Sequence, residues 1–199
     1  TGNEQLITLR TSTPFFETES TNVTGAEVSV TNNATGEVFL FTDQNNGTYT
    51  TSTFEPQLEA TYTLEILYDG ERYVAEDTMN PVPDITDIYQ DTYLFKFERP
   101  QDLLPTLETG DDEFINGNEV DWWYEIDDDE EGDIQPLQPS DVVNITMNGI
   151  SRAYYNYMDI VIDQIGGVGI FEATPVDVRG NCINTTNPDN YAHGYFRVT

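Results

Sequence analysis

The chain has 199 residues, with 37 acidic side chains against seven basic ones and a formal net charge of -30 at neutral pH. That balance repels phosphate backbones and anionic bilayer surfaces, so it argues against nucleic acid and favours cations or cationic partners. The plain alternative is a surface kept soluble in a salty medium, where screening blunts self-repulsion. Hydrophobic residues at 37% and aromatics at 12% suffice for a packed core, and no apolar run approaches the roughly 20 residues of a membrane helix. No leader peptide opens the chain, which reads as a mature or trimmed ectodomain. The single cysteine, Cys182, rules out an internal disulfide and is expected to be a small buried hydrophobe rather than a nucleophile.

The first part reads as short strands joined by tight turns. Gln5–Leu9 is short and apolar. Ala26–Thr31 alternates with period two, as a half-buried strand does. Asn32–Gly36 turns the chain into Glu37–Phe41, and Asn46–Gly47 marks a hairpin before Thr48–Thr50. Thr61–Leu67 alternates cleanly, and Asp69–Gly70 turns it into Arg72–Ala75. This regular spacing predicts a β-sandwich over residues 1–84. Asn80-Pro81-Val82-Pro83-Asp84 is an extended connector, after which a second, β-rich part is expected over 85–199.

The second part is less regular. Thr92–Phe97 is a strand candidate, Arg99–Gly110 reads as a long loop, and Asp141–Met147 reads as another strand. Glu119–Ile126 is a strand rich in aromatics, followed by an acidic, solvent-facing run over Glu125–Asp133. One amphipathic helix is predicted near 151–165, capped by Ser151 and ended by Gly166-Gly167. Its stripe of Ala153, Tyr154, Tyr157, Met158, Val161, Ile162 and Ile165 predicts packing on a sheet.

Three stretches, in order, resemble the Bacteroidota family known as domain of unknown function 4249. The first runs from Leu9-Arg10-Thr11-Ser12-Thr13-Pro14-Phe15 and Val23–Val30 through Asn46-Gly47-Thr48-Tyr49 and Tyr62–Leu67 to Met79-Asn80-Pro81-Val82-Pro83. The second is Asp112–Glu119. The third and most specific is Pro175-Val176-Asp177-Val178-Arg179-Gly180-Asn181-Cys182-Ile183-Asn184, then Asn187-Pro188-Asp189 and Gly194-Tyr195-Phe196. Tyr154-Tyr155-Asn156-Tyr157 also fits. The resemblance implies an immunoglobulin-like or prealbumin-like N-terminal sandwich. It also implies a lipid-anchored protein on the outer face of the outer membrane, often encoded near TonB-dependent transporters. Family members begin with a lipid-modified cysteine, a linker and an early strand. Nothing before Thr1 supplies these here, so the anchor is inferred, and whether an N-terminal strand is missing from the given chain stays open.

Candidate chemistry is sparse. His193 is the single histidine, and no Gly-x-Ser-x-Gly elbow accompanies it, so hydrolase triads find no support. Paired carboxylates are plentiful, which keeps a glycosidase open but makes any one pair uninformative. Asp127, Asp129, Glu131 and Asp133 lie in an EF-hand-like frame with Gly132 at the sharp turn and Ile134 at the apolar position. Gln138 stands where a bidentate Glu belongs, so the alternatives are weak calcium binding and a solvated acidic loop. Asp111-Asp112-Glu113 with Asn116 and Asn118 is a weaker cluster. Trp122 and Tyr124 share one strand face and Trp123 takes the other, so one face is core and the other is either covered or a ligand or interface site. Gly180 is expected to allow a special backbone angle, and Arg179 to pair within the chain with a carboxylate. Asn22, Asn33, Asn46, Asn144 and Asn184 fit a glycosylation sequon that needs a eukaryotic host.

The resulting expectation is an all-β, mainly antiparallel, non-catalytic surface protein that partners an outer-membrane β-barrel transporter. Ligand capture of sugar, peptide or metal is the competing class, and a subunit of an outer-membrane assembly or secretion complex is a third. A concave pocket at Trp122 or Trp123 favours capture; a flat apolar patch favours protein contact.

Overall fold

The computed structural model describes residues 4–12, 20–80, 92–100, 105–111, 139, 141–166 and 176–198. The chain forms two compact units. One joins Thr1–Pro81 to Val176–Thr199, and the other is Val82–Pro175. The division at 84/85 read from the sequence therefore differs at the C-terminal end: the last stretch belongs with the first unit, because a short strand of it pairs into the first sheet.

The first unit is built on a seven-stranded antiparallel sheet. Its strands are β1 (Gln5–Thr8), β2 (Glu27–Asn32), β3 (Val38–Asp43), β4 (Thr48–Thr51), β5 (Thr61–Tyr68), β6 (Glu71–Thr78) and, from the C-terminal return, β10 (Ile183–Asn184), in the order β1-β4-β3-β2-β5-β6-β10. The sheet curls and the arrangement is sandwich-like. Period-two alternation explains its inner face. Val28 pairs with Phe41 on one side and Ile66 on the other, and Val30 pairs with Phe39 and Leu64, so apolar side chains line up across three strands. Phe54 sits among Phe39, Phe41 and Tyr62, with its ring 5.0 Å from Tyr62 edge-on. Tyr49 is fully buried, and its hydroxyl is satisfied twice: it accepts from the Ala26 N–H and donates to the Val23 carbonyl, both at 3.1 Å.

The turns follow the chemistry of their residues. Asp69 and Gly70 both adopt positive φ (50° and 78°), which closes the two-residue β5–β6 hairpin. At the β2–β3 turn, Asn32 Oδ1 accepts from the Ala34 and Thr35 N–H groups.

The second unit contains a three-stranded antiparallel sheet, ordered β8 (Thr106–Asp111), β7 (Thr92–Glu98), β9 (Asn144–Ile150), with helix α1 (Arg152–Gly166) on it. Ser151 Oγ accepts from the Tyr154 N–H at 3.2 Å, the cap expected from the sequence. Met158 is buried with Leu94 and Ile150, and Tyr154, Tyr155, Tyr157, Ile162 and Leu107 pack around them. Ala153, expected in the apolar stripe, is exposed, and Tyr155 packs inward. Residues 106–111 form strand β8 rather than the end of a loop. The segment carries Glu108, Gly110 and Asp111, which hide its periodicity. It is held by full register with β7, by Leu107 under the helix, and by Thr109 Oγ1 donating to Asp159 at 2.9 Å.

Candidate functional site

Trp122, Trp123 and Tyr124, and the acidic set Asp127, Asp129, Glu131 and Asp133, lie outside the described residues. Of the weaker acidic cluster, Asp111 is described, and it takes an ion pair from Arg152 at 3.2 Å. Among the described residues no group of three or more His, Cys, Asp or Glu side chains is placed to hold a metal ion.

What the described residues do bring together is the C-terminal stretch and the N-terminal edge of the first unit. Four asparagines spaced by three carry the return: Asn181, Asn184, Asn187 and Asn190. Asn184 is fully buried and makes all four bonds its amide allows. Its Nδ2 donates to Glu71 Oε2 (3.0 Å) and the Asn190 carbonyl (2.8 Å); its Oδ1 accepts from the Thr186 (3.0 Å) and Asn187 (2.8 Å) N–H groups. A buried, saturated amide is not available for glycosylation in the folded chain. Glu71 also accepts from the Tyr73 hydroxyl (2.7 Å), Asn187 Nδ2 (3.0 Å) and Asn190 Nδ2 (2.6 Å). The Tyr73 bond, then those from Asn187 and Asn190, hold the Glu71 carboxyl below its usual range. Burial, and then the same bond to Glu71, push the Tyr73 phenol up to about 12.

Beyond these asparagines the chain joins no strand of the sheet. Asn181 Nδ2 donates to the Phe196 and Glu76 carbonyls, both at 2.9 Å, and its Oδ1 accepts from the Phe196 N–H at 2.8 Å. Two residues on, the Val198 N–H donates to Asp77 Oδ2 at 2.8 Å. Burial raises the Asp77 carboxyl above its usual range despite that bond. Gly180 sits so close to Gly194 that a Cβ would lie 1.6 Å from the Gly194 carbonyl oxygen. The sequence suggested a special backbone angle for Gly180. The structure gives close approach instead, for Gly180 is not among the residues with positive φ. Arg179 pairs with Asp177 at 3.0 Å and lies 3.9 Å over the Tyr191 ring; both partners of the ion pair are exposed.

Between this stretch and β1 lies a groove of about 760 Å³. Its walls are residues 5–12 on one side and 190–198 on the other, over an apolar floor of Phe41, Phe54, Leu64 and Ile66. The volume falls within the range of ligand sites, roughly 300–1,000 Å³. None of the described residues lining it is Asp or Glu, in a chain with 37 of them, whereas Arg10 and Arg197 both line it. Cys182 is buried beneath the groove, and burial pushes its thiol up to about 11, so it is protonated at neutral pH. His193 is exposed, its ring edge-on to Tyr191 at 5.0 Å. The asparagine spacing was a readable sign that side chains, not a ladder, hold the return.

These features define an antiparallel, sandwich-like β protein whose first unit is completed by its own C-terminus and carries an open groove. The chain belongs to the family described as domain of unknown function (DUF4249), whose model matches residues 1–99 and 86–199. No curated protein and no solved structure matches it.

Proposed function

We propose that the protein is a non-catalytic binding module on the outer cell surface, lipid-anchored, and that it partners an outer-membrane β-barrel transporter of the TonB-dependent kind. The observation that carries the binding reading is the groove between β1 and residues 190–198, apolar at its floor and free of carboxylates among its described lining residues. A concave, largely preformed site is what a recognition module offers. Two further facts support binding over catalysis. The one thiol is buried with its pKa raised, and the one imidazole is exposed against a tyrosine ring. The acidic surface suits a protein held in a salty medium beside other envelope proteins. The barrel as partner rests on the family resemblance.

Affinity purification of the lipoprotein from gently solubilised native outer membranes tests the reading. A stoichiometric TonB-dependent barrel is expected. A barrel-assembly or secretion component in its place would move the function to envelope biogenesis. If no barrel copurifies even after crosslinking, the transporter reading fails.

A further inference from the structure

The C-terminal stretch is held unevenly. At its start Asn190 is fixed: Nδ2 donates to Glu71 (2.6 Å) and to the Tyr73 hydroxyl (3.1 Å), and the carbonyl accepts from the buried Asn184 (2.8 Å). Residues 191–198, which follow, join no strand of the sheet. Two side chains of the body bond their backbone. Asn181 takes both backbone groups of Phe196, and Asp77 Oδ2 takes the Val198 N–H. Arg179 and Asp177 also meet Tyr191, but both are exposed and hold it weakly. Cys182 and Ala75 share a buried cluster with Val198, against which Ala192 and Phe196 pack, while His193 and Gly194 are exposed. A segment with so few backbone bonds opens at lower free energy than the ladders it lies on.

We propose that residues 191–198 form a strap, hinged at Asn190 and latched by Asn181 and Asp77, that opens as a unit while the sheet stays folded and so bares Cys182. The strap is one wall of the groove, so its opening widens the groove. The inference concerns how that wall is held and stands whatever the groove binds. The latch also responds to charge. Asp77 is buried across from Tyr62 of β5, and Arg197 faces it from the strap. Closure buries the carboxyl, and burial outweighs the N–H groups of Val198 and Thr78 and the charge of Arg197, so the carboxyl is raised above its usual range. A group raised in the closed state favours closure below that value and opposes it as pH climbs through it.

Cys182 is the single thiol, so its alkylation reports the opening without ambiguity. The whole chain is labelled at one pH across low urea, with amide hydrogen exchange followed in parallel. Labelling is expected to be slower than for a free thiol but faster than global unfolding allows. Its urea dependence should be much shallower than that of global unfolding, because opening the strap exposes little surface. The amides of Phe196 and Val198 should share the shallow dependence, and the ladder amides of β2 and β5 should not. Asn181→Ala is expected to raise both Cys182 labelling and Val198 exchange about tenfold, with the shallow dependence kept. Exchange at Val198, corrected for its own pH dependence, should show opening that grows with pH in the parent but not in Asp77→Asn, which keeps an acceptor and carries no charge. Cys182 labelling with the full urea dependence of global unfolding, rates unmoved by Asn181→Ala, or the same pH trend in Asp77→Asn overturns the proposal.

Discussion

Asn181 holds Phe196 by both of its backbone groups, with Oδ1 accepting the Phe196 N–H at 2.8 Å and Nδ2 donating to the Phe196 carbonyl at 2.9 Å. One side-chain amide thereby does the work of a neighbouring strand. It also ties Phe196 to β6, since the same Nδ2 reaches the Glu76 carbonyl. The groove has a second wall because of this contact. Asn181→Ala leaves a part-buried N–H and C=O without these partners, and should cost about 1–3 kcal/mol. Urea unfolding should show it, together with faster amide exchange at Phe196 and Val198.

Asn184 should be less replaceable still. Its four bonds tie Glu71, Asn190, Thr186 and Asn187 into one network, and the residue is fully buried. Removing one member orphans several others, so Asn184→Ala is expected to cost on the order of 3 kcal/mol. Asn184→Asp should fare little better, because it loses both donors and sets a second carboxylate beside Glu71. A melting temperature close to the parent's for either variant would contradict this.

Gly180 and Gly194 should respond oppositely to alanine. At Gly180 the new methyl meets the Gly194 carbonyl at 1.6 Å, and backbone must move. Gly180→Ala is expected to destabilise by about 2 kcal/mol or more, whereas Gly194→Ala should lie within about 0.5 kcal/mol of the parent. Paired thermal melts decide it.

The acid limb of stability should depend on Glu71. Its folded carboxyl lies below 4.5, held there first by the Tyr73 hydroxyl and then by Asn187 and Asn190. A lowered folded pKa gives stability that is present above the unfolded value and lost as pH falls through the folded one. Asp77 acts in the opposite sense: burial raises it, so its contribution favours the protonated form and declines as pH rises through its folded value. Glu71→Gln should therefore flatten the loss of stability between neutral pH and pH about 3, whereas Asp77→Asn should steepen it. Urea midpoints across that range measure both slopes.

Cys182 should be silent in the folded state. Burial holds its thiol near 11, so alkylation at pH about 8 should proceed at the rate of opening rather than the rate of the free thiol. Rapid labelling in native buffer would contradict the packing around residues 182 and 198.

Much of the fold was legible because much of it is periodic. Val28, Val30, Tyr62, Leu64 and Ile66 alternate, and Asp69-Gly70 has the chemistry its turn requires. Helix α1 was legible from Ser151 and the spacing of Tyr154, Tyr157 and Met158. Strand β8 was not, since Thr106–Asp111 is polar at most positions and owes its conformation to β7 and the helix. Strand β10 has two residues, too few to carry a period, and is placed by Asn184 and Thr185 rather than by side-chain pattern. The groove is a property of two segments more than 170 residues apart in sequence, which local patterning does not join. The tryptophan and acidic sites singled out from the sequence fall outside the described residues.

The most direct measurement is photo-crosslinking on intact cells, with a benzophenone side chain at Leu6, which lines the groove, and, as control, at Leu40, which is 72% exposed and does not line it. The predicted result is a single adduct with an outer-membrane barrel from position 6, missing from position 40. No adduct from position 6, or the same adduct from both positions, would contradict the account.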